Sequence, residues 1–370
     1  GGGFAYDYLA TFEELPEVKP GANTYPDYEF LVAQTVLAVD HLQGTAHLEG
    51  WDIDDKRLRE ELDSLASLPA AARPAAPQRE RIRAVADVDD TGFRADVDKL
   101  KSNIHAGDIY QVVPARAFTV DCPNALAAYR ALRETNPSPY MFYVRGADYE
   151  LFGASPESNL KFTPEDRQVQ LYPIAGTRPR GLNPDGSINH ELDIRNELDM
   201  RTDHKEIAEH TMLVDLARND LARVAVPRSR QVAELLHVDR YSRVMHLVSR
   251  VTATLHPDFD ALDAYRACMN MGTLTGAPKL RATELVRRTE GKRRGSYGGA
   301  VGYLRGDGAM DNCIVIRSAY VQDGTAVVQA GAGVVKDSMP QAEADETVHK
   351  AYAVLNAIAM AQGAELVVQR

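Results

Sequence analysis

The sequence predicts an α+β fold built on large antiparallel sheets with helices outside. Three observations lead there. Strand-like runs outnumber helical ones along the 370 residues. Neighbouring runs join through short turns, as in "DNCIVIRSAYVQDGTAVVQAGAGVV", where Asp323-Gly324 reads as a two-residue hairpin turn. The order of elements lacks the strand–helix alternation of a parallel sheet.

Alternation or β-branched enrichment marks strands near 29–39, 109–119, 140–146, 149–163, 168–175, 242–254, 297–305, 312–321 and 325–335. Helical periodicity marks 55–66, 91–106, 123–134, 190–223, 259–269, 279–290 and 340–361. "SLPAAARPAAPQRERIR" (67–83) is rich in Ala and Pro with little periodicity. Residues 67–90 are therefore expected to be a surface connection inside one domain spanning 1–370. No repeat of 20–50 residues is visible.

Net charge is −11, from 42 Lys+Arg against 53 Asp+Glu, which disfavours a nucleic-acid partner. No run of about 18 apolar residues exists to span a membrane, and no secretory segment opens the chain. Cys122, Cys268 and Cys313 are scattered and without CxxC spacing. That argues against a zinc site or disulfide framework and for a reducing, cytoplasmic setting. The chain opens on Gly rather than Met, so an upstream part is expected.

Some motifs fail on inspection. "GTLTGAPK" (272–279) lacks the Gly-Lys-Ser/Thr ending of a phosphate loop, and Pro278 removes an amide donor. Neither HExxH nor GxSxG occurs, and no cysteine sits in a nucleophile-elbow context.

Others carry chemistry. In "RTDHKEIAEH" (201–210), Glu206 and Glu209 lie three apart, on one helix face. The plain reading is a Lys205–Glu209 ion pair; the sharper one is half of a carboxylate site for a hard cation. "DSMPQAEADETVHK" (337–350) repeats the pattern with Glu343 and Glu346. Ser338 and Gln341 read as a capping box, Pro340 suits a first turn, and Glu346–Lys350 suits an i,i+4 pair. Gly331 and Gly333 interrupt a strand, as a bulge or where backbone amides approach an anion. Arg317, on the neighbouring strand, offers a planar fork for a carboxylate. His246 falls between Val244 and Val248 on one strand face, as a core residue or an acid–base group. "YPIAGTRPRG" (172–181) reads only as a loop.

Taken together, "GDIYQVVPAR", "NPSPYMFY", "LFGASPES", "YPIAGTRPRG", "RTDHKEIAEHTMLVDLARNDL", "DRYSRVMHLVSRV", "MNMGTLTGAPKLRA", "RRGSYGGAVGYL", "CIVIRSA" and "QAGAGVVKDSMPQAEADET" resemble the chorismate-utilising enzymes. Within them they look most like the large-subunit (component I) anthranilate synthases. The likeness covers nearly the whole chain and weakens across about 51–90.

The resemblance implies two antiparallel sheets packed as a sandwich, forming a chorismate-binding catalytic domain. It implies Mg²⁺-dependent amination of chorismate and elimination of pyruvate to give anthranilate, the first step of tryptophan biosynthesis. An enzyme that stops at aminodeoxyisochorismate is the alternative. The likeness maps Glu206, Glu209, Glu343 and Glu346 to the metal, with Glu206 also catalytic. It maps Tyr297, Tyr303, Arg317, Gly331, Ala332, Gly333 and Lys350 to substrate carboxylates, and Gly176, Thr177 and Thr273 to the ring pocket. His246 matches a histidine near the leaving hydroxyl. Isochorismate and salicylate synthases carry a lysine base where this chain has Gln111. Aminodeoxychorismate synthases carry a nucleophilic lysine where it has Ala175. Both differences imply direct attack by ammonia. A glutamine amidotransferase subunit would supply that ammonia within a hetero-oligomer, and free ammonium at high pH would replace it. Members of the family carry roughly 150 further upstream residues. Pro137, Ser138, Pro139, Tyr140, Met141 and Cys313 match half of a tryptophan feedback site.

Overall fold

The computed structural model describes residues 1–67, 81–241 and 243–370. Two large sheets organise these residues. Seven strands form the first, in the spatial order Glu365–Gln369, Arg81–Ala86, Ala115–Asp121, Thr325–Gly331, Ser318–Gln322, Glu150–Ser155, Tyr140–Arg145. Every pairing is antiparallel except Glu365–Gln369 with Arg81–Ala86. The second sheet has nine strands, with the long Val244–Thr254 near one end. One edge of that strand pairs with Gln168–Leu171 and then Ile174–Pro179, and its other edge pairs with Gln231–Arg240.

The sheets are joined by two strand lines that pass from one into the other side by side. Glu150–Ser155 belongs to the seven-stranded sheet, and Ser158–Thr163 continues in the nine-stranded one. Met310–Ile314 and Ser318–Gln322 make the same passage in reverse. The expected continuous strand 312–321 is thus broken, with Arg317 at φ 49° in the break. Pro156-Glu157 and Ile316-Arg317 lie side by side there: Ile314 N–H donates to the Glu157 carbonyl and Ala154 N–H to that of Arg317, both at 3.0 Å. Ala5, Leu151, Val301, Cys313, Val315 and Tyr320, drawn from both sheets and their joins, pack into one buried cluster.

Helices Ala125–Thr135 and Pro340–Ala361 cover the seven-stranded sheet, burying Ala128, Leu132, Val354, Leu355 and Ile358 against it. The Asp323-Gly324 hairpin forms as expected, with φ of 49° and 73° and Gln322 facing Thr325. No helix among the described residues is long and apolar enough to cross a membrane.

Three further expectations need correction. The stretch 67–90 is not all connection: Arg81–Ala86 is a strand whose Ile82 and Ala84 are buried, and Asp90 already begins a helix. Residues 68–80 of that stretch lie outside the described residues. The helix expected over 190–223 is two, His190–Thr202 and His204–Ala222. Asp203 separates them and caps the second through Lys205 N–H and Glu206 N–H. The Ser338/Gln341 capping box does not form, because the Pro340–Ala361 helix starts after Met339 with no side-chain cap. Ser338 Oγ accepts from Val335 N–H, and the Gln341 amide bonds Asp345 and Arg94 instead.

Candidate active site

The join between the sheets opens into a cleft of about 520 Å³. Two helices bring acid to it. His204–Ala222 supplies Glu206 and Glu209, and Pro340–Ala361 supplies Glu343 and Glu346; all four line the cleft. Arg317, Lys350, His246, Thr273, Tyr297, Gln111, Gly176, Thr177, Gly331 and Gly333 line it too.

The like charges have separate partners. Glu206 Oε1 is ion-paired with Arg178, which also bonds Asp199 at 2.7 Å. Glu209 Oε1 accepts from Gln111 Nε2 at 2.7 Å. Glu346 pairs with Lys350 at 2.5 Å, as its i,i+4 spacing predicts. The Lys205–Glu209 pair is not among the ion pairs of the described residues; the charge of Lys205 acts on Glu343 instead. Burial and the nearby Glu346 hold the Glu343 carboxyl above its ordinary range.

Two carboxylate oxygens, Glu206 Oε2 and Glu343 Oε2, are buried without a hydrogen-bond donor. A buried charged oxygen without a partner costs several kcal/mol, so this pair suits a hard cation entering between the helices. No three carboxylate, thiol or imidazole side chains of the described residues form a ready-made metal shell. Mg²⁺ does not need one, since it takes one or two carboxylates and completes its octahedron with water and substrate oxygens.

The rest of the lining is cationic and acidic by turns. Among the described residues no protein acceptor receives a hydrogen bond from the Arg317 guanidinium, and burial lowers its proton affinity. The charges of Glu346 and Glu157 reach it, but a guanidinium whose fork no carboxylate occupies is suited to an anion. Lys350 Nζ donates to the Gly331 carbonyl at 3.0 Å. A Cβ on Gly331 would stand 2.9 Å from the Pro114 carbonyl, and one on Gly333 would stand 3.0 Å from Gln111 Nε2. Glycine here permits close approach, as the sequence suggested. Burial pushes the Tyr297 hydroxyl up to about 12. Thr177 Oγ1 and His246 Nδ1 are 2.9 Å apart, and burial plus the charge of Arg317 keeps His246 below its usual range, as a neutral base.

Glu157, which lies inside "LFGASPES", has no role legible in the sequence pattern. It is 6% exposed and accepts from Thr273 Oγ1 at 3.0 Å. Burial pushes its carboxyl up to about 8, against the pull of Thr273, Arg317 and Lys350. A protonated carboxylic acid therefore faces the cleft at neutral pH. An acid beside Pro156 in a run of small and apolar residues is the signal available.

Not every mapped residue enters. Tyr303 does not: it lies in the Ala300–Leu304 strand, 48% exposed, and faces a separate groove. Period-2 alternation explains this, since Val301 and Tyr303 share a strand face that leads away from the cleft. Ala332 is fully buried between Gly331 and Gly333, and its N–H donates to the Pro114 carbonyl. Tyr140, Met141 and Cys313 line the separate groove, of about 450 Å³, with Tyr303. Pro137, Ser138 and Pro139 precede it without lining it.

The profile of the chorismate binding enzymes matches residues 1–356. The chain belongs to the chorismate binding enzyme family. Among curated members, it is 55% identical to anthranilate synthase component 1 of Salmonella typhimurium, over 99% of this chain and 71% of that one. Against the Escherichia coli protein of the same name, identity is 54% over 99% and 71%. Among solved structures, anthranilate synthase component I from Streptococcus pneumoniae superposes with a TM-score of 0.85. That match is 33% identical and covers 95% of this chain and 79% of the other.

Proposed function

We propose that this chorismate binding enzyme is a lyase that aminates chorismate with ammonia and then eliminates pyruvate, yielding anthranilate. Its likeness to anthranilate synthase component 1 at 55% identity supports the reaction. The observation that carries the mechanism is the convergence of the unpaired Arg317, the protonated Glu157 and the two glutamate pairs on one cleft.

Chorismate is a dianion, and the cleft meets it with two kinds of charge. Arg317 and the Gly331–Gly333 backbone hold one carboxylate. Glu206, Glu209, Glu343 and Glu346 would hold Mg²⁺, which supplies neutralisation of the ring carboxylate so that electrons can move through the diene. Gln111 positions the nucleophile. Its Nε2 is committed to Glu209, while its Oε1 is buried without a donor and can accept from an N–H of ammonia. An amide cannot deprotonate water, and Ala175 provides no amine, so ammonia attacks the ring itself. As the C–N bond forms, the double bonds shift and the 4-hydroxyl departs as water with the proton of Glu157. In the second step neutral His246, held by Thr177, takes the ring proton. The enolpyruvyl C–O bond then breaks, the ring becomes aromatic, and the departing enolpyruvate takes that proton as it becomes pyruvate.

The same reading includes a glutamine amidotransferase subunit as ammonia donor, in a hetero-oligomer. It assigns the groove of Tyr140, Met141 and Cys313 to tryptophan feedback. A cytoplasmic location accords with three buried free thiols. Incubation with chorismate, Mg²⁺ and ammonium, followed by anthranilate fluorescence, tests the reading. Turnover without fluorescence, with the aminated intermediate accumulating, would move it to an aminodeoxyisochorismate synthase.

A further inference from the structure

His210 follows Glu209 on the carboxylate helix but is turned away from the cleft. It is fully buried and bonded on both ring nitrogens: Nδ1 lies 3.0 Å from the Ala175 carbonyl, and Nε2 lies 2.7 Å from Ser249 Oγ. Both partners belong to irregular places in the nine-stranded sheet. On one edge of Val244–Thr254, Ile174 faces Val248 and Thr177 faces His246, so Ala175 and Gly176 share a single residue, Leu247. On the other edge Glu234 faces Arg250 and His237 faces Val248, so Leu235 and Leu236 share Ser249. These are two bulges, one on each side of one strand, and each leaves a backbone group without its ladder partner.

The hydrogen-bond directions are determined. Leu236 N–H donates to Ser249 Oγ at 2.9 Å, which leaves the serine hydroxyl hydrogen free to donate to His210 Nε2. The Ala175 carbonyl can only accept, so Nδ1 carries the ring proton. One neutral imidazole, in its Nδ1–H tautomer, thus satisfies the orphaned groups of both bulges.

We propose that His210 is a positioning residue that sets the Ala175–Thr177 bulge against the catalytic groups. That bulge places Gly176 so near the metal-site acid that a Cβ there would stand 2.8 Å from Glu206 Oε2, and it brings Thr177 to His246. Without the imidazole bond the Ala175 carbonyl turns to find another donor, Thr177 moves off His246, and the elimination step loses its oriented base. The inference rests on the proposed function, because it predicts which of the two chemical steps fails.

The test compares His210→Asn, His210→Gln and His210→Phe with the wild-type chain, using chorismate, Mg²⁺ and ammonium. Anthranilate and the aminated intermediate are separated by chromatography. Asn presents its amide N–H where Nδ1 stands, whereas Gln reaches only toward Ser249 and Phe makes neither bond. The expected result is a rise of about tenfold in the intermediate-to-anthranilate ratio for Gln and Phe, the scale of one buried hydrogen bond. Asn should restore the ratio to within about threefold of wild type. A ratio equal to wild type in the Gln and Phe variants, or the same rise in all three, would overturn the proposal. A second readout does not need turnover or folded variants. Long-range ¹H–¹⁵N correlation on wild-type chain with ¹⁵N-labelled histidine should contain a buried neutral imidazole protonated at Nδ1. Finding only Nε2–H tautomers among the neutral histidines would overturn the assignment. Wild-type chain that forms no anthranilate would count against the functional reading, and the tautomer would then decide the positioning claim alone.

Discussion

Replacing Glu157 with Gln should make the protein more stable and nearly inactive. The carboxyl is 6% exposed, and burial raises it from the ordinary 4.5 to about 8. A carboxyl raised on folding contributes fully below its unfolded value, and that contribution is lost as pH rises through the folded value. Between pH 4.5 and about 8 the wild-type chain should therefore lose about 1.4 kcal/mol of stability per pH unit from this group. At pH 7 the accumulated loss is about 3 kcal/mol. Gln keeps the shape, still bonds Thr273, and does not titrate, so Glu157→Gln should gain up to that amount at pH 7 and nothing near pH 4. Catalysis should move the other way. Loss of a positioned acid typically costs a factor of about 10² to 10⁴, here in kcat with KM for chorismate little changed. Urea unfolding at pH 5, 6, 7 and 8 gives the first quantity. Steady-state rates at constant free ammonia give the second, with the wild-type rate declining above about pH 8. A variant that keeps more than about a tenth of wild-type kcat, or whose stability follows the wild-type pH slope, would refute the assignment.

Other perturbations probe the remaining parts. Arg317→Lys keeps the charge but not the fork, and should raise KM for chorismate at least about tenfold while kcat falls less, by initial-rate analysis. Lys279 and Asp220 form a buried pair at 2.6 Å, with Lys279 also donating to the Cys268 carbonyl. Lys279→Met strands the acid and should cost about 3–5 kcal/mol in denaturant unfolding. Gly176→Ala, at φ 99° and with its Cβ 2.8 Å from Glu206 Oε2, should lower both stability and Mn²⁺ affinity. Glu343→Gln should weaken Mn²⁺ binding about tenfold or more by titration against the electron paramagnetic signal of the free ion, and unchanged binding would remove Glu343 from the metal site.

The sequence announced elements with strong local signals. The Asp323-Gly324 turn, the Pro340–Ala361 helix and the paired glutamates follow from residue spacing alone. Signals that depend on distant partners were not readable. Gln231–Arg240 is an edge strand with few buried side chains and two register shifts, so its alternation is blurred. Arg81–Ala86 lies between Ala115–Asp121 and the distant Glu365–Gln369, beside an Ala/Pro-rich stretch that suggests connection. The Arg317 break looks like uninterrupted strand in "CIVIRSAY" because the passage between sheets is a tertiary choice. Glu157 and His210 take their roles from burial, which a local pattern does not report. The family likeness placed the four glutamates, Arg317, Lys350 and His246 at one cleft, and missed with Tyr303 because strand alternation turns that side chain elsewhere.

The central claim is that this cleft turns chorismate into anthranilate using ammonia. The most direct test incubates the chain with chorismate, Mg²⁺ and ammonium and measures both products of the elimination. The account predicts anthranilate fluorescence with pyruvate released in equal amount. Isochorismate in place of an aminated product, or no consumption of chorismate by folded protein, would contradict it.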